Sequence, residues 1–152
     1  MLSVRRNPRS PLALLNPIEE LVFQRNAVEF VHPTERNSMK NDNPWIEICP
    51  GIKRQTASSG KTMYQMTASL EAGSKMPEHQ HPQEQIVYIL SGRMKLIVNG
   101  TPHELLPGDS FYLGSHVPHG VETVEATRVL DTFSPPRDEY LAIDEANRQK
   151  NG

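Results

Sequence analysis

Turn signals recur every few residues between Trp45 and Ser134, and they constrain the fold of this chain more than any other feature. They separate short apolar stretches, and no long stretch of helical periodicity comes between them. Asn99–Gly100 is the strongest signal, because a two-residue hairpin turn needs positive φ at both central positions. Ser91–Gly92 is another. We predict strands at 45–48, 52–56, 62–70, 85–90, 93–98, 102–106, 110–113, 119–124 and 127–133. This pattern is typical of an all-β sandwich or barrel.

The regions that flank these strands have a different character. Residues 1–44 are rich in proline and polar residues, and we interpret them as an N-terminal extension that packs on the domain or on a partner subunit. Within them, 18–29 has a partial apolar face of helical spacing, whereas 27–31 could instead form an edge strand. Residues 45–137 are expected to form the barrel, and the tail 138–152 to contain a short helix.

The charge balance is nearly neutral, with 16 basic and 18 acidic residues. This balance gives no basic surface for nucleic acid or for a membrane. No apolar run is long enough to span a bilayer, and no signal-peptide core is present. Cys49 is the single cysteine, so no internal disulfide can form. We therefore expect a cytoplasmic protein.

Metal-ligand residue types are concentrated in the segment from Gly73 to Gly92. On one strand, residues of equal parity point to the same face, so His79, His81 and Gln85 would converge while Glu84 faces away. Fifteen residues separate Gly92 from Gly108, and the hairpin at Asn99–Gly100 would return the chain so that His119 faces the other three side chains. Three imidazoles and one amide oxygen predict a site for a divalent metal.

The two segments resemble the paired motifs of the cupin superfamily, Gly-x5-His-x-His-x3-Glu-x6-Gly and Gly-x5-Pro-x-Gly-x2-His-x3-Asn. The first motif fits at every position except Gln85, which occupies the glutamate position. The second keeps Gly108 and His119, and it departs at Gly114, His116 and Thr123. The resemblance implies a double-stranded β-helix, or jelly roll, that holds one metal with His79, His81, Gln85 and His119. It also implies a homodimer, since cupins commonly pair through an edge strand.

Glutamine in place of glutamate changes the expected chemistry. Three neutral imidazoles and an amide would leave the full charge of the ion uncompensated, which favours Lewis-acid chemistry on an anionic substrate. It disfavours a dioxygenase, because the usual non-haem iron face contains a carboxylate. This ligand set suits Zn, Ni, Fe, Co or Mn equally, so the sequence does not name the metal.

The last predicted strand ends in a second candidate group, Asp131, Phe133 and Arg137. These residue types fit an acid/base group beside a carboxylate clamp, but taken alone they favour a surface Asp–Arg ion pair beside a core Phe. Together with the His-x-His motif, the ending Asp-x-Phe-Ser-Pro-Pro-Arg is similar to the pectin-degradation cupins that linearise unsaturated uronates. That resemblance implies that Asp131 shuttles a proton, Arg137 binds the substrate carboxylate and Phe133 packs on the sugar ring.

The functional prediction is a metal-dependent enzyme that opens and tautomerises a small unsaturated sugar acid. Two alternatives stay open: a cyclase of the polyketide type, in which the metal steers an enolate, and a cupin that binds a small molecule without turnover. A mainly apolar, aromatic pocket would favour the cyclase, and a second cation near Arg137 would favour the sugar acid.

Overall fold

The computed structural model describes residues 42–151, which form an antiparallel β-barrel followed by one helix. The predicted helical segment 18–29 and the alternative strand 27–31 lie outside these residues, as does nearly all of the N-terminal extension. The elements are β1 (Ile46–Cys49), β2 (Ile52–Ser59), β3 (Tyr64–Leu70), β4 (Lys75–His79), β5 (Glu84–Val98), β6 (Thr101–Leu105), β7 (Ser110–Leu113), β8 (His119–Ser134) and α1 (Asp138–Asn151). The predicted all-β fold with a C-terminal helix is confirmed.

The long strands β5 and β8 pair with each other along nearly their whole length and hold the barrel together. The last residues of β8 also pair with β3, and the first residues pair with β4. In the same way, β5 pairs with β7 near its start and with β6 near its end. Each long strand therefore belongs to both halves of the jelly roll. The predicted hairpin between β5 and β6 is confirmed, with φ of 49° at Asn99 and 77° at Gly100.

Two bends explain why the sequence was divided into too many strands. The predicted strands 85–90 and 93–98 are one continuous strand, β5. The predicted strands 119–124 and 127–133 are likewise one strand, β8. The predicted turn at Ser91–Gly92 is wrong, because this segment is an irregularity within β5 where the register with β8 shifts. Gly92 has φ of 85°, and a Cβ at this position would lie 2.1 Å from the carbonyl oxygen of Ala126. A glycine in a strand marks either a turn or a bulge, and here it marks a bulge.

The sequence prediction missed β4 and misassigned the local geometry of two histidines. β4 is short and polar and contains Pro77, features that disfavour a strand except at a sheet edge. It places His79 opposite His119 of β8. His81 then lies in the turn before β5, so it does not share a strand with Gln85 as we expected. The predicted alternation holds within β5, where Gln85 is buried and Glu84 is exposed.

The barrel interior is apolar, and α1 closes one part of it. The core comprises Ile52, Ala68, Leu70, Val87, Ile89, Met94, Leu96, Leu105, Leu113 and Val129. Tyr140 and Leu141 of α1 pack against Tyr64, Met66 and Phe133. Prolines precede the helix. Acidic residues in its first turn and basic residues in its last turn stabilise it by interacting favourably with the helix dipole. This helix is too short and too polar to cross a bilayer, and the described part of the chain contains no helix that could.

Candidate metal centre

Three histidines from two strands and one turn meet inside the barrel. His79 ends β4, His119 begins β8 directly opposite it, and His81 lies between β4 and β5. A ring nitrogen from each lies within 4.8 Å of one from each of the others. His81 and His119 are buried, and His79 is partly exposed at the mouth. The three imidazoles that the sequence predicted to converge are therefore brought together.

Each of the three rings is held by the same type of hydrogen bond. The Nδ1 atoms lie 2.9 Å from the carbonyl oxygen of Pro77 for His79, 3.0 Å from that of Gln83 for His81, and 2.8 Å from that of Val117 for His119. A carbonyl oxygen only accepts, so Nδ1 is the donor and carries the proton in all three rings. In its neutral form, each ring then presents an unprotonated Nε2. Such outer hydrogen bonds fix the tautomer and orientation of metal-binding histidines.

Gln85 presents its amide oxygen to the same centre. Its Nε2 donates a hydrogen bond of 2.9 Å to Oδ1 of Asp131, and this bond turns Oε1 toward His81. Oε1 lies 3.2 Å from Nε2 of His81. Because both atoms carry lone pairs and neither carries a proton, they cannot form a hydrogen bond with each other. Two acceptors that face each other in a buried site have the arrangement expected of two ligands of one cation.

The donor set fits a divalent transition metal. His79, His81, His119 and Gln85 would hold it through three imidazole nitrogens and one amide oxygen. Burial, with Arg137 and His119 nearby, lowers the pKa of His81 to about 4. Burial also lowers the pKa of His119. Both rings are therefore neutral at neutral pH, which is the form that binds metals. Glu84 lies outside, where it accepts a hydrogen bond from Tyr112.

Asp131 supplies a negative charge beside the metal ligands, which the expectation of an uncompensated ion did not include. Its carboxylate is buried and contacts the Gln85 amide. Burial raises the pKa of Asp131 to about 6, against the opposing effects of the Gln85 hydrogen bond and of Arg137. The charge of the ion would therefore be partly compensated, because the Asp131 carboxylate is hydrogen-bonded to the ligand Gln85.

Arg137 and Phe133 lie in the same pocket as Asp131. Both are buried, and the guanidinium carbon of Arg137 lies 5.1 Å from the centroid of the Phe133 ring. Nε of Arg137 donates to Glu139, not to Asp131. A surface Asp131–Arg137 ion pair, one of the two sequence interpretations, is therefore absent from the described structure. Nη1 and Nη2 of Arg137 have no hydrogen-bond partner among the described residues, so these donors are available to a ligand.

The pocket below the metal ligands is mainly apolar. It has an empty volume of ≈ 560 Å³ including its open mouth. Its apolar lining includes Ile52, Met66, Leu70, Met94, Leu96 and Val129. Its polar lining includes Gln85, Asp131 and Arg137, together with Tyr140 of α1 and the ligands His79 and His119. A ligand here would meet mostly apolar side chains and a small number of polar groups, as is usual for small-molecule sites.

Sequence reasoning did not identify Tyr140 and Arg54 as parts of this region. The guanidinium carbon of Arg54 lies 4.2 Å from the centroid of the Tyr140 ring, and Arg54 is fully buried in a 2.9 Å ion pair with Asp144. A weak signal existed, because Arg54 has the same parity as Ile52 and Thr56 on a predicted strand. Its partner lies 90 residues away, and no local pattern shows that pairing.

A jelly-roll barrel with histidines clustered inside it defines the class of this protein. The family model described as cupin domain matches residues 66–133. The chain belongs to the cupin superfamily, as the resemblance of its motifs implied.

One relative and two solved structures show which cupins this chain is similar to. The pectin degradation protein KdgF of Dickeya dadantii is 30% identical over 108 residues, which cover 70% of this chain and 98% of that protein. The solved structure of KdgF from Halomonas sp. has a TM-score of 0.63 and 29% identity, over 67% of this chain and 96% of that one. An RmlC-like cupin from Shewanella frigidimarina has the same TM-score and 28% identity, over 70% of this chain and 96% of that one. This chain is therefore a cupin related to KdgF.

Proposed function

We propose that this cupin is an isomerase that opens and tautomerises a small 4,5-unsaturated uronate. The observation that carries the proposal is the convergence of three groups in one pocket: the set of metal ligands, the Asp131 carboxylate, and the Nη atoms of Arg137, which have no partner within residues 42–151. The relationship to the pectin degradation protein KdgF supports an acidic sugar as the substrate.

Each residue has a separate task in the proposed reaction. Arg137 binds the substrate carboxylate, because a guanidinium fixed at Nε still offers its two Nη donors. Phe133 packs against the sugar ring, and Asp131 transfers the proton. A divalent metal held by His79, His81, Gln85 and His119 supplies Lewis-acid stabilisation of negative charge on a substrate oxygen.

The proposed reaction conserves every atom. The hydroxyl on C1 of the cyclic hemiacetal gives its proton to the Asp131 carboxylate, the C1–O5 bond breaks, and C1 becomes an aldehyde. The electron pair remains on O5, which becomes the enolate oxygen attached to C5. C4 then accepts a proton from Asp131, and C5 becomes a ketone. The net change is an isomerisation, so no oxidant or reductant is needed.

Turnover of 4,5-unsaturated galacturonate by the metal-loaded protein tests this proposal. The reaction removes the conjugated double bond, so ultraviolet absorbance falls as it proceeds. Asp131→Asn is the matched control, because asparagine still accepts the hydrogen bond from Gln85 but cannot shuttle a proton. We expect rapid decay with the wild type and loss of decay, with metal retained, in the variant. Metal-loaded wild type that leaves the absorbance unchanged would refute the proposal.

The apolar lining of the pocket favours one other function, a cyclase acting on a polyketide-like enolate. A second cation, Arg54, contacts the same Tyr140 ring as Arg137, but it does not add support for the sugar acid, because it is paired with Asp144 and is not free to bind a carboxylate. Binding of an apolar aromatic β-diketone in preference to galacturonate would favour the cyclase.

A further inference from the structure

Tyr140 connects the C-terminal helix to the anion-binding side of the pocket. It lies in the first turn of α1 and lines the pocket. The guanidinium carbons of Arg54 and Arg137 each lie 4.2 Å from the centroid of its ring. One aromatic ring therefore contacts both a fully buried cation and the cation that we place opposite the substrate carboxylate.

Arg137 is restrained on several sides. Its guanidinium contacts the ring of Tyr140, and its carbon lies 5.1 Å from the Phe133 centroid. Its Nε is paired with Glu139. A guanidinium that is already immobile loses less conformational entropy when it binds a carboxylate, so restraint of this kind increases affinity.

Tyr140 is itself restrained from inside the barrel. Nη2 of Arg54 donates a 3.1 Å hydrogen bond to the carbonyl oxygen of Tyr140. Nη1 of Arg54 is paired with Asp144, one helical turn further along α1. Both the backbone and the ring of Tyr140 are thus held by one buried arginine that does not itself line the pocket.

We propose that Tyr140 is a positioning residue for anion recognition: held by Arg54, it fixes the guanidinium of Arg137 so that the pocket selects sugars with a carboxylate over neutral sugars. This inference rests on the proposed role of Arg137 in binding the substrate. Tyr140→Leu removes the ring, Tyr140→Phe retains it, and Arg137→Met removes the cation that the ring restrains.

The test compares the affinity of the metal-loaded protein for D-galacturonate and for its neutral methyl ester, measured by ligand-observed NMR. We expect the wild type and Tyr140→Phe to prefer galacturonate, and Arg137→Met to show a much smaller preference, which comes from the metal alone. Tyr140→Leu should lose on the order of tenfold in galacturonate affinity, as expected for a desolvated cation–π contact. Its affinity for the ester and its metal content should be unchanged.

The possible outcomes separate the two proposals. An unchanged preference in Tyr140→Leu would overturn the inference about Tyr140 and leave the proposed function intact. Equal losses for both ligands in that variant, or an equal loss in Tyr140→Phe, would also overturn it. A wild type without any preference would remove the role of Arg137 as well, and with it the basis of the proposed substrate class.

Discussion

Asp131→Ala should weaken metal binding although Asp131 is not a metal ligand. The carboxylate is 6% exposed and accepts the 2.9 Å hydrogen bond that orients the Gln85 amide. Without it, Nε2 of Gln85 loses its partner in a buried site, and the amide is free to turn its oxygen away from His81. Loss of such an outer hydrogen bond typically lowers metal affinity about 10- to 100-fold. This corresponds to about 1.4 to 2.7 kcal/mol.

Competition with a chromophoric chelator measures this affinity without any need for substrate. Asp131→Asn separates orientation from charge, because its side-chain oxygen can accept the same hydrogen bond from Gln85. We expect this variant to stay much closer to the wild type than Asp131→Ala does. An Asp131→Ala protein that binds the metal as tightly as the wild type would refute the reasoning about Gln85.

Three further substitutions test other parts of the structure, each by urea unfolding. Asp144→Ala should lower the free energy of unfolding by about 3 to 5 kcal/mol, because it removes the carboxylate partner of the buried Arg54. The double variant R54M/D144L should recover most of this loss. Equal losses in the single and the double variant would contradict this prediction. Gly92→Ala should lower the free energy of unfolding by about 2 to 5 kcal/mol, because position 92 has positive φ and an added Cβ would lie 2.1 Å from the Ala126 carbonyl oxygen. A variant as stable as the wild type would contradict this prediction. Gln85→Glu should lower the free energy of unfolding of the metal-free protein by about 1 to 3 kcal/mol, because it places a second carboxyl group against that of Asp131. Added metal should then raise the free energy of unfolding of this variant by more than it raises that of the wild type, and an equal rise would argue against Gln85 as a ligand.

The sequence predicted the fold and the convergence of His79, His81, Gln85 and His119 because these features depend on local patterns. Turn residues, strand alternation and motif spacing are each visible within about twenty residues. The reason given for the convergence was partly wrong, because His79 and His81 lie on an edge strand and a turn and not on β5. A short polar strand that contains a proline has no local pattern that would reveal it.

Long-range pairing accounts for what the sequence did not predict. The hydrogen bond from Gln85 to Asp131 joins residues 46 positions apart, and the Arg54–Asp144 pair joins residues 90 positions apart. Residue types alone gave two interpretations of Asp131 and Arg137. The choice between them depended on which partner each side chain finds in the folded protein, where Arg137 pairs with Glu139.

Metal stoichiometry of the wild type and of His81→Ala tests the central claim most directly. Each protein is loaded in turn with Zn, Ni, Fe, Co and Mn, desalted, and analysed for bound metal, with circular dichroism as the control for folding. The account predicts one tightly bound ion per wild-type chain for at least one of these metals, and loss of that ion from folded His81→Ala. A folded wild type that retains none of the metals, or a His81→Ala protein that binds as tightly as the wild type, would contradict it.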